Sequence, residues 1–145
     1  MRVLVILKAN ANSEAGVMPS KEDIERGIRF NEEMVKAGIL KAADGLKPSK
    51  FGKRLSLRAH RKPSITDGPF AETKELIAGY FLWEVKSMDE ALEWAQRIPC
   101  PMSGEESILE IRQFWEAEDF GEEFTPELRE RERLLGEQIA ANAKR

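Results

Sequence analysis

The chain has 145 residues, of which 41% are hydrophobic and 34% charged, and a formal net charge of −3. These values exclude a disordered chain. No apolar run approaches the roughly 18 residues of a membrane-spanning helix, so we expect no membrane partner. The net negative charge also gives no reason to expect direct nucleic-acid binding. One cysteine and one histidine exclude an internal disulfide and a Cys/His zinc site, so we expect one cytoplasmic domain without metal or cofactor.

The first third of the chain predicts a strand and a long helix. Residues 3–7 are β-branched and aliphatic, which is typical of a buried strand. Ser20 is a predicted N-cap and Gly38 a predicted C-cap, so the helix between them spans about residues 21–37. Three apolar residues of this helix lie at helical spacing, and we expect them to form its buried face: Ile24, Ile28 and Val35.

The middle of the chain predicts three further strand regions. One begins at Ile39 and ends at Gly45 or Leu46, and residues 53–59 with 64–66 form a short hairpin. Residues 77–85 are apolar on both faces, with Phe81, Trp83 and Val85 on one side and Tyr80 and Leu82 on the other. Because such a strand must be covered on both faces, we expect helices on one side and a second subunit on the other.

The last third predicts two helices around a strand. Ser87 and Glu90 form a capping-box pattern at the start of the first helix, residues 108–115 form the strand, and Thr125-Pro126 starts the second helix. We expect Met88, Ala91, Leu92 and Ala95 on one face of the first helix and Leu128, Leu135 and Ile139 on an apolar stripe of the second. The order predicts an α+β, ferredoxin-like β-α-β-β-α-β protomer with an inserted hairpin and an extra C-terminal helix.

The densest polar run, Asp67-Gly68-Pro69-Phe70-Ala71-Glu72-Thr73-Lys74-Glu75, precedes the most apolar strand. It is open to two interpretations. Asp-Gly-Pro is ordinary turn chemistry. Alternatively, four ionisable side chains beside an apolar chamber would form a site in which Asp67 serves as a general acid or base.

This run resembles the signature of the DGPF-type, YCII-related domain family. Ala78-Gly79-Tyr80-Phe81, Glu90-Ala91-Leu92-Glu93-Trp94-Ala95 and Glu110-Ile111-Arg112 follow in the order that the family shows. The resemblance covers residues 1–116 and leaves 117–145 as a C-terminal helical extension. It implies a dimeric α+β barrel, that is, a homodimer in which two ferredoxin-like protomers pair through their sheets.

The resemblance also implies two classes of function. Some members are enzymes, including a type that dechlorinates aromatic compounds with a His–Asp pair, and others occur beside or fused to extracytoplasmic-function sigma factors. Asp67 matches the motif aspartate, but the histidine, which the relatives take from the first helix, has no counterpart in residues 20–37. The resemblance therefore carries over the aspartate alone.

The candidate site residues follow from these patterns. Asp67 is the candidate catalytic residue, with Asn31, Glu72, Thr73, Lys74 and Arg112 as candidate ligand-binding residues and no metal ligand. Asn31 lies on the predicted apolar stripe of its helix, and Arg112 alternates with apolar residues on the last strand, where it faces either a barrel interior or solvent.

A basic segment offers a different function. Residues 47–62 contain seven Lys and Arg residues and no acid, which suits either a solvated hairpin face or an acidic partner. His60 lies in the same segment and is a predicted surface residue. The two functional hypotheses are therefore binding or transformation of a small organic molecule in a chamber near the motif loop, or a regulatory module that binds a protein such as a sigma factor.

Overall fold

A computed structural model describes residues 1–100 and 106–144 of the chain. The chain divides into two compact units, residues 1–113 and 114–145. The bounds of the strands and helices are β1 Arg2–Lys8, α1 Ala11–Glu14, α2 Lys21–Lys36, β2 Leu40–Gly45, β3 Lys53–Ser56, β4 Ser64–Asp67, β5 Ile77–Glu84, α3 Met88–Ala95, β6 Leu109–Gln113 and α4 Pro126–Ala143.

The first unit is built on a four-stranded sheet with the strand order β2-β5-β1-β6. All three strand pairings are antiparallel, and β3 pairs with β4 in a separate two-stranded sheet. This confirms the predicted ferredoxin-like α+β protomer and its inserted hairpin. Helix α2 connects β1 to β2, with β5 lying between these two strands, and α3 connects β5 to β6, with β1 lying between them. Each helical connection therefore crosses over one strand of the sheet.

Local sequence signals determine where α2 begins and ends. Ser20 Oγ accepts a hydrogen bond from the Asp23 amide at 3.1 Å, as the predicted N-cap requires. At the other end Gly38 takes a positive φ of 78°, and the amides of Gly38 and Ile39 donate to the carbonyls of Val35 and Met34. This pair of bonds closes the helix, and only glycine adopts that backbone conformation without steric cost.

The predicted buried face of α2 is wrong. Ile24, Ile28 and Val35 are 49%, 51% and 62% exposed, whereas Phe30 and Met34 are buried. Phe30 packs edge-on against Phe81, with ring centroids 6.4 Å apart, so the bulkier of two apolar stripes faces the sheet. Phe30 and Met34 are also one helical turn apart, and the volume to be filled against the sheet favours these bulkier side chains.

The core of the first unit lies between the sheet and the helices. Val3, Val5, Trp83 and Met34 are fully buried in it, and the β1–β5 register places Val3 opposite Trp83 and Val5 opposite Phe81. The alternating residues of β1 and β5 point to the opposite face of the sheet, where Leu4, Tyr80 and Leu82 are half-buried. Strand β5 is therefore apolar on both faces, as its sequence predicts.

The predicted elements of the last third are present with small differences. Ser87 Oγ caps α3 by accepting from the Glu90 amide, while the Glu90 carboxylate accepts from the amide of Lys86 rather than that of Ser87. Ala91 and Ala95 are buried, but Leu92 is 45% exposed and does not belong to the predicted face. Strand β6 is shorter than predicted because pairing with β1 stops at Gln113.

The second unit consists of a short 3-10 turn and helix α4. Thr125 caps α4 and Pro126 occupies its first turn, as predicted. Leu128, Leu135 and Ile139 are 41%, 53% and 69% exposed, so the apolar stripe of α4 is not buried within this unit. Across the part of the chain that the structure describes, none of the helices combines the length and apolar character needed to cross a membrane.

Candidate functional site

The predicted catalytic residue, Asp67, lies at the end of β4 on the separate hairpin. Its carboxylate is 2.6 Å from Nζ of Lys53, the residue directly opposite on β3. The side chain is 74% exposed, and a pair this exposed to solvent contributes little to stability. The catalytic role of Asp67 stays a prediction, and Asp67 is not among the residues that line the cavity described below.

The motif that follows Asp67 packs closely on another part of the chain. The Gly68 amide donates to the Gly52 carbonyl at 3.0 Å. A Cβ atom on Gly68 would lie 1.8 Å from the carbonyl oxygen of Ser49, well inside van der Waals contact. Glycine is therefore required at this position by close approach of the backbone. The peptide bond between Gly68 and Pro69 is cis.

A short hydrogen-bond chain fixes the motif loop to helix α1. The Phe70 amide donates to Ser49 Oγ at 3.0 Å, and the Ser49 hydroxyl donates to Oε2 of Glu14 at 2.5 Å. The Ser49 amide donates to the other carboxylate oxygen of Glu14 at 2.9 Å. Bonds to a charged acceptor are the stronger kind, so the motif has a clear structural role in joining three segments of the first unit.

The predicted ligand-binding residues do not converge on one place. Glu72 and Lys74 are exposed and Thr73 half-buried at the 3-10 turn Thr73–Glu75, which precedes β5. Arg112 lies on β6, exposed and 3.5 Å from the Glu110 carboxylate. Asn31 lies on α2, is half-buried and lines the cavity described next. The assignment of these residues to ligand binding stays a prediction.

That cavity, called here the helix-side cavity, has a volume of about 610 Å³. It lies between α2, the loop that precedes it, the C-terminal end of α3 and the adjoining ends of β1, β5 and β6. Its apolar wall consists of Leu7, Val17, Met18, Phe30, Ala78, Phe81, Ala95, Ile98, Ile108 and Leu109. Ligand sites in proteins have volumes of about 300–1,000 Å³ and are mostly apolar, so this cavity has the size and lining of one.

A few polar side chains interrupt the apolar wall. Lys8, Asp23, Arg26 and Asn31 all line the helix-side cavity. Arg26 forms an ion pair with Asp23, and the hydrogen bond from this guanidinium lowers the pKa of the Asp23 carboxyl. Asp23 therefore stays ionised at neutral pH, and the pair is lost only as the pH falls through that lowered pKa.

An irregularity in the sheet lies beside the helix-side cavity. The register between β1 and β5 shifts between Leu7, which faces Gly79, and Lys8, which faces Ile77, so Ala78 on β5 has no partner in the ladder. Leu7, Lys8 and Ala78 all line the cavity. Bulges of this kind are frequent beside binding sites.

Gly27 is a lining residue that the sequence analysis missed. It lies within α2, and a Cβ added to it would have no neighbour within 4 Å. Glycine within a helix costs about 1 kcal/mol relative to alanine, so its presence amid strong helix formers is a signal that could have been noticed. The residue leaves open space where almost any side chain would fill part of the cavity.

The described residues contain no group of three or more His, Cys, Asp and Glu side chains that could hold a metal ion. The helix-side cavity offers an apolar surface together with the Asp23–Arg26 ion pair, Lys8, and the amide and hydroxyl residues Asn10, Asn12, Asn31, Ser13 and Ser107. This combination can bind and orient an organic molecule through burial of its apolar body and through a small number of polar contacts.

A four-stranded antiparallel sheet, two helices on one of its faces and a ligand-sized cavity beneath them define a ferredoxin-like α+β protein with a candidate binding site. The chain belongs to the YCII-related domain family, whose sequence model matches residues 1–115. It is also similar to an uncharacterised protein of Rhizobium meliloti (strain 1021), with 38% identity over 81 residues. That match covers 53% of this chain and 64% of the relative, which is less than two thirds of its length.

Proposed function

We propose that this YCII-related protein binds a small organic molecule in the helix-side cavity. The observation that carries the proposal is a 610 Å³ apolar cavity whose wall includes the half-buried Asn31. An apolar body would lie against Phe30, Phe81 and the neighbouring aliphatic side chains, since burial of apolar area is the main favourable term in such binding. The resemblance to family members that dechlorinate aromatic compounds favours a ligand with an aromatic ring.

The proposal separates binding from the motif loop. Asp67 does not line the helix-side cavity, and its carboxylate already pairs with Lys53. We propose for Asp67 an acid–base role toward a ligand that reaches the hairpin. This role is independent of ligand binding in the helix-side cavity. An Asp67→Asn variant that binds the same compounds as the wild type would separate the two.

Filling the cavity from Gly27 tests the proposed function. We expect Gly27→Leu to weaken binding of the neutral fluorescent probe phenylnaphthylamine at least about tenfold, because the new side chain occupies space that the probe needs. The substitution raises helix propensity, so loss of binding does not stem from a weakened helix. The measurement is a fluorescence titration at constant protein concentration.

Gly136→Leu is the matched control for this titration. Gly136 also lies within a helix, α4, and a Cβ added to it also meets nothing within 4 Å. The control should bind the probe as the wild type does. Equal probe affinity in the wild type and Gly27→Leu would place the probe elsewhere and would remove the support for a ligand in this cavity.

We also propose that two copies pair through the sheet faces opposite the core. Leu4, Tyr80 and Leu82 lie half-buried on that face, and a second copy would cover them. Light scattering after size exclusion should give a mass of twice 16.5 kDa for the wild type. Leu82→Lys, which places a charge in the proposed contact, should lower the mass toward 16.5 kDa, with exposed Leu92→Lys as control. A mass of one chain for the wild type would contradict the pairing.

A second candidate function is supported by the β3–β4 hairpin. Leu55, Leu57 and Ile65 are 55%, 75% and 67% exposed among the basic residues of the segment 47–62. An acidic protein partner would cover both kinds of side chain, and a sigma factor is the partner that the resemblance favours. Light scattering of an equimolar mixture with an extracytoplasmic-function sigma factor from the same genome tests it, since unchanged separate peaks would count against this function.

A further inference from the structure

We infer that the molecule bound in the helix-side cavity is a small organic acid, whose anionic group is held by the ammonium group of Lys8. The inference rests on the proposed function of that cavity and adds the chemical class of the ligand. It is carried by the charged residues that line the cavity and by which of them already have partners.

The positive groups around the cavity divide into paired and unpaired ones. A shallow cleft adjoins the helix-side cavity and shares Arg26, Phe30 and Pro99 with it. Each arginine that lines the cavity or the cleft has a carboxylate partner, in the pairs Arg26–Asp23, Arg29–Glu25 and Arg97–Glu33. Within residues 1–100 and 106–144, the Lys8 ammonium forms no ion pair, although it lines the cavity too.

The position of Lys8 makes its unpaired charge useful for binding. The residue is half-buried and shares the cavity wall with Leu7, Ile108 and Leu109. An ion pair at a partly desolvated site is stronger than one in water, because the effective dielectric constant is lower there. An uncompensated ammonium group in such surroundings is stabilised by an anionic ligand. Neutral polar residues of the wall, Asn31 among them, remain available to contact the rest of the molecule.

The end of β1 supplies both an apolar residue and the cation. Leu7 and Lys8, consecutive in sequence, both line the cavity. Because the two lie side by side, this strand end favours a ligand in which an acidic group is attached directly to an apolar body.

The test compares two fluorescent probes of similar size, anilinonaphthalene sulfonate, which is anionic, and phenylnaphthylamine, which is neutral. We expect Lys8→Met to weaken binding of the anionic probe about tenfold, as expected for loss of a charged partner, and to leave binding of the neutral probe unchanged. Lys8→Arg should retain most of the preference for the anion. Lys41→Met, an exposed lysine on β2, is the matched control and should bind both probes as the wild type does.

A third variant tests the charge balance from the other side. Asp23→Asn leaves Arg26 without its carboxylate partner, so it should raise affinity for the anionic probe and leave the neutral one unchanged. The Asp23 backbone amide, which caps α2 through Ser20, is retained in this variant. A fall in affinity for the anionic probe would contradict the inferred role of charge on this wall.

The outcomes separate the inference from the proposed function. One possible result is that both probes bind the wild type, that Gly27→Leu weakens binding of both, and that Lys8→Met weakens binding of neither. The cavity then binds ligands but not through Lys8, which overturns the inference and leaves the proposed function standing. If Gly27→Leu weakens binding of neither probe, the proposed function and the inference both fail. Selective loss of the anionic probe in Lys8→Met, together with loss of both in Gly27→Leu, is the result that supports both.

Discussion

Gly68→Ala should destabilise the protein by about 3 kcal/mol, at the upper end of the usual cost of overpacking. The added Cβ would fall 1.8 Å from the Ser49 carbonyl oxygen and 2.7 Å from the carbonyl carbon. Both are backbone atoms, which cannot rotate away as a side chain can. The motif loop or the 3-10 turn at Ser49 must therefore shift. Urea unfolding monitored by far-ultraviolet circular dichroism measures the change in the free energy of unfolding.

Gly45→Ala is the control for Gly68→Ala. A Cβ on Gly45 would lie 3.9 Å from the nearest heavy atom, the Ala78 carbonyl oxygen, which is ordinary contact. We expect a change within about 1 kcal/mol for this variant. If Gly68→Ala and Gly45→Ala unfold at the same urea concentration, the close packing of the motif on Ser49 does not hold in solution.

Trp83→Ala should lower the free energy of unfolding by about 4 kcal/mol, the range for removal of a buried aromatic side chain. Trp83 is fully buried and its ring packs on that of Phe81, with centroids 5.7 Å apart. The same urea titration applies. Trp115→Ala, which removes a tryptophan that is 72% exposed, should cost less than about 1 kcal/mol and serves as the control.

Trp83→Phe should cost much less than Trp83→Ala. Within the described residues, Nε1 of Trp83 is a buried donor without a hydrogen-bond partner, and an unpaired buried donor is itself unfavourable. Phenylalanine removes that donor and keeps most of the ring volume, so we expect a loss of about 1 kcal/mol. A Trp83→Phe variant as unstable as Trp83→Ala would indicate that the indole N–H is satisfied in solution.

The motif at residues 67–75 has a packing role in the fold, although its sequence is also compatible with a catalytic site. By its sequence alone, the run that begins at Asp67 could be either a turn or a site. The structure gives the run a packing role, through Gly68 against Ser49 and through the Phe70 amide on the Ser49 hydroxyl. Ser49 and Glu14 were not identified from sequence, because their bonds join segments distant in the chain and local patterns carry no information about such contacts.

Most of the secondary structure of this chain follows from its sequence alone. The caps at Ser20, Gly38 and Thr125 each act through bonds within a few residues, so short-range chemistry determined where the helices begin or end. The apolar character of residues 77–85 on both faces likewise predicted a strand there that needs cover on both faces. These features depend on backbone hydrogen bonding and alternation, which are local properties.

The candidate site depended on the tertiary structure. Helical spacing led to the wrong apolar face of α2, and packing against Phe81 buries Phe30 where the sequence predicted Ile28. That Lys8 lines the helix-side cavity, beside a register shift between two strands far apart in sequence, is visible only in the assembled fold. The open space beside Gly27 is likewise visible only there. Such features arise from volume and register, which belong to the assembled fold and not to any one segment of the chain.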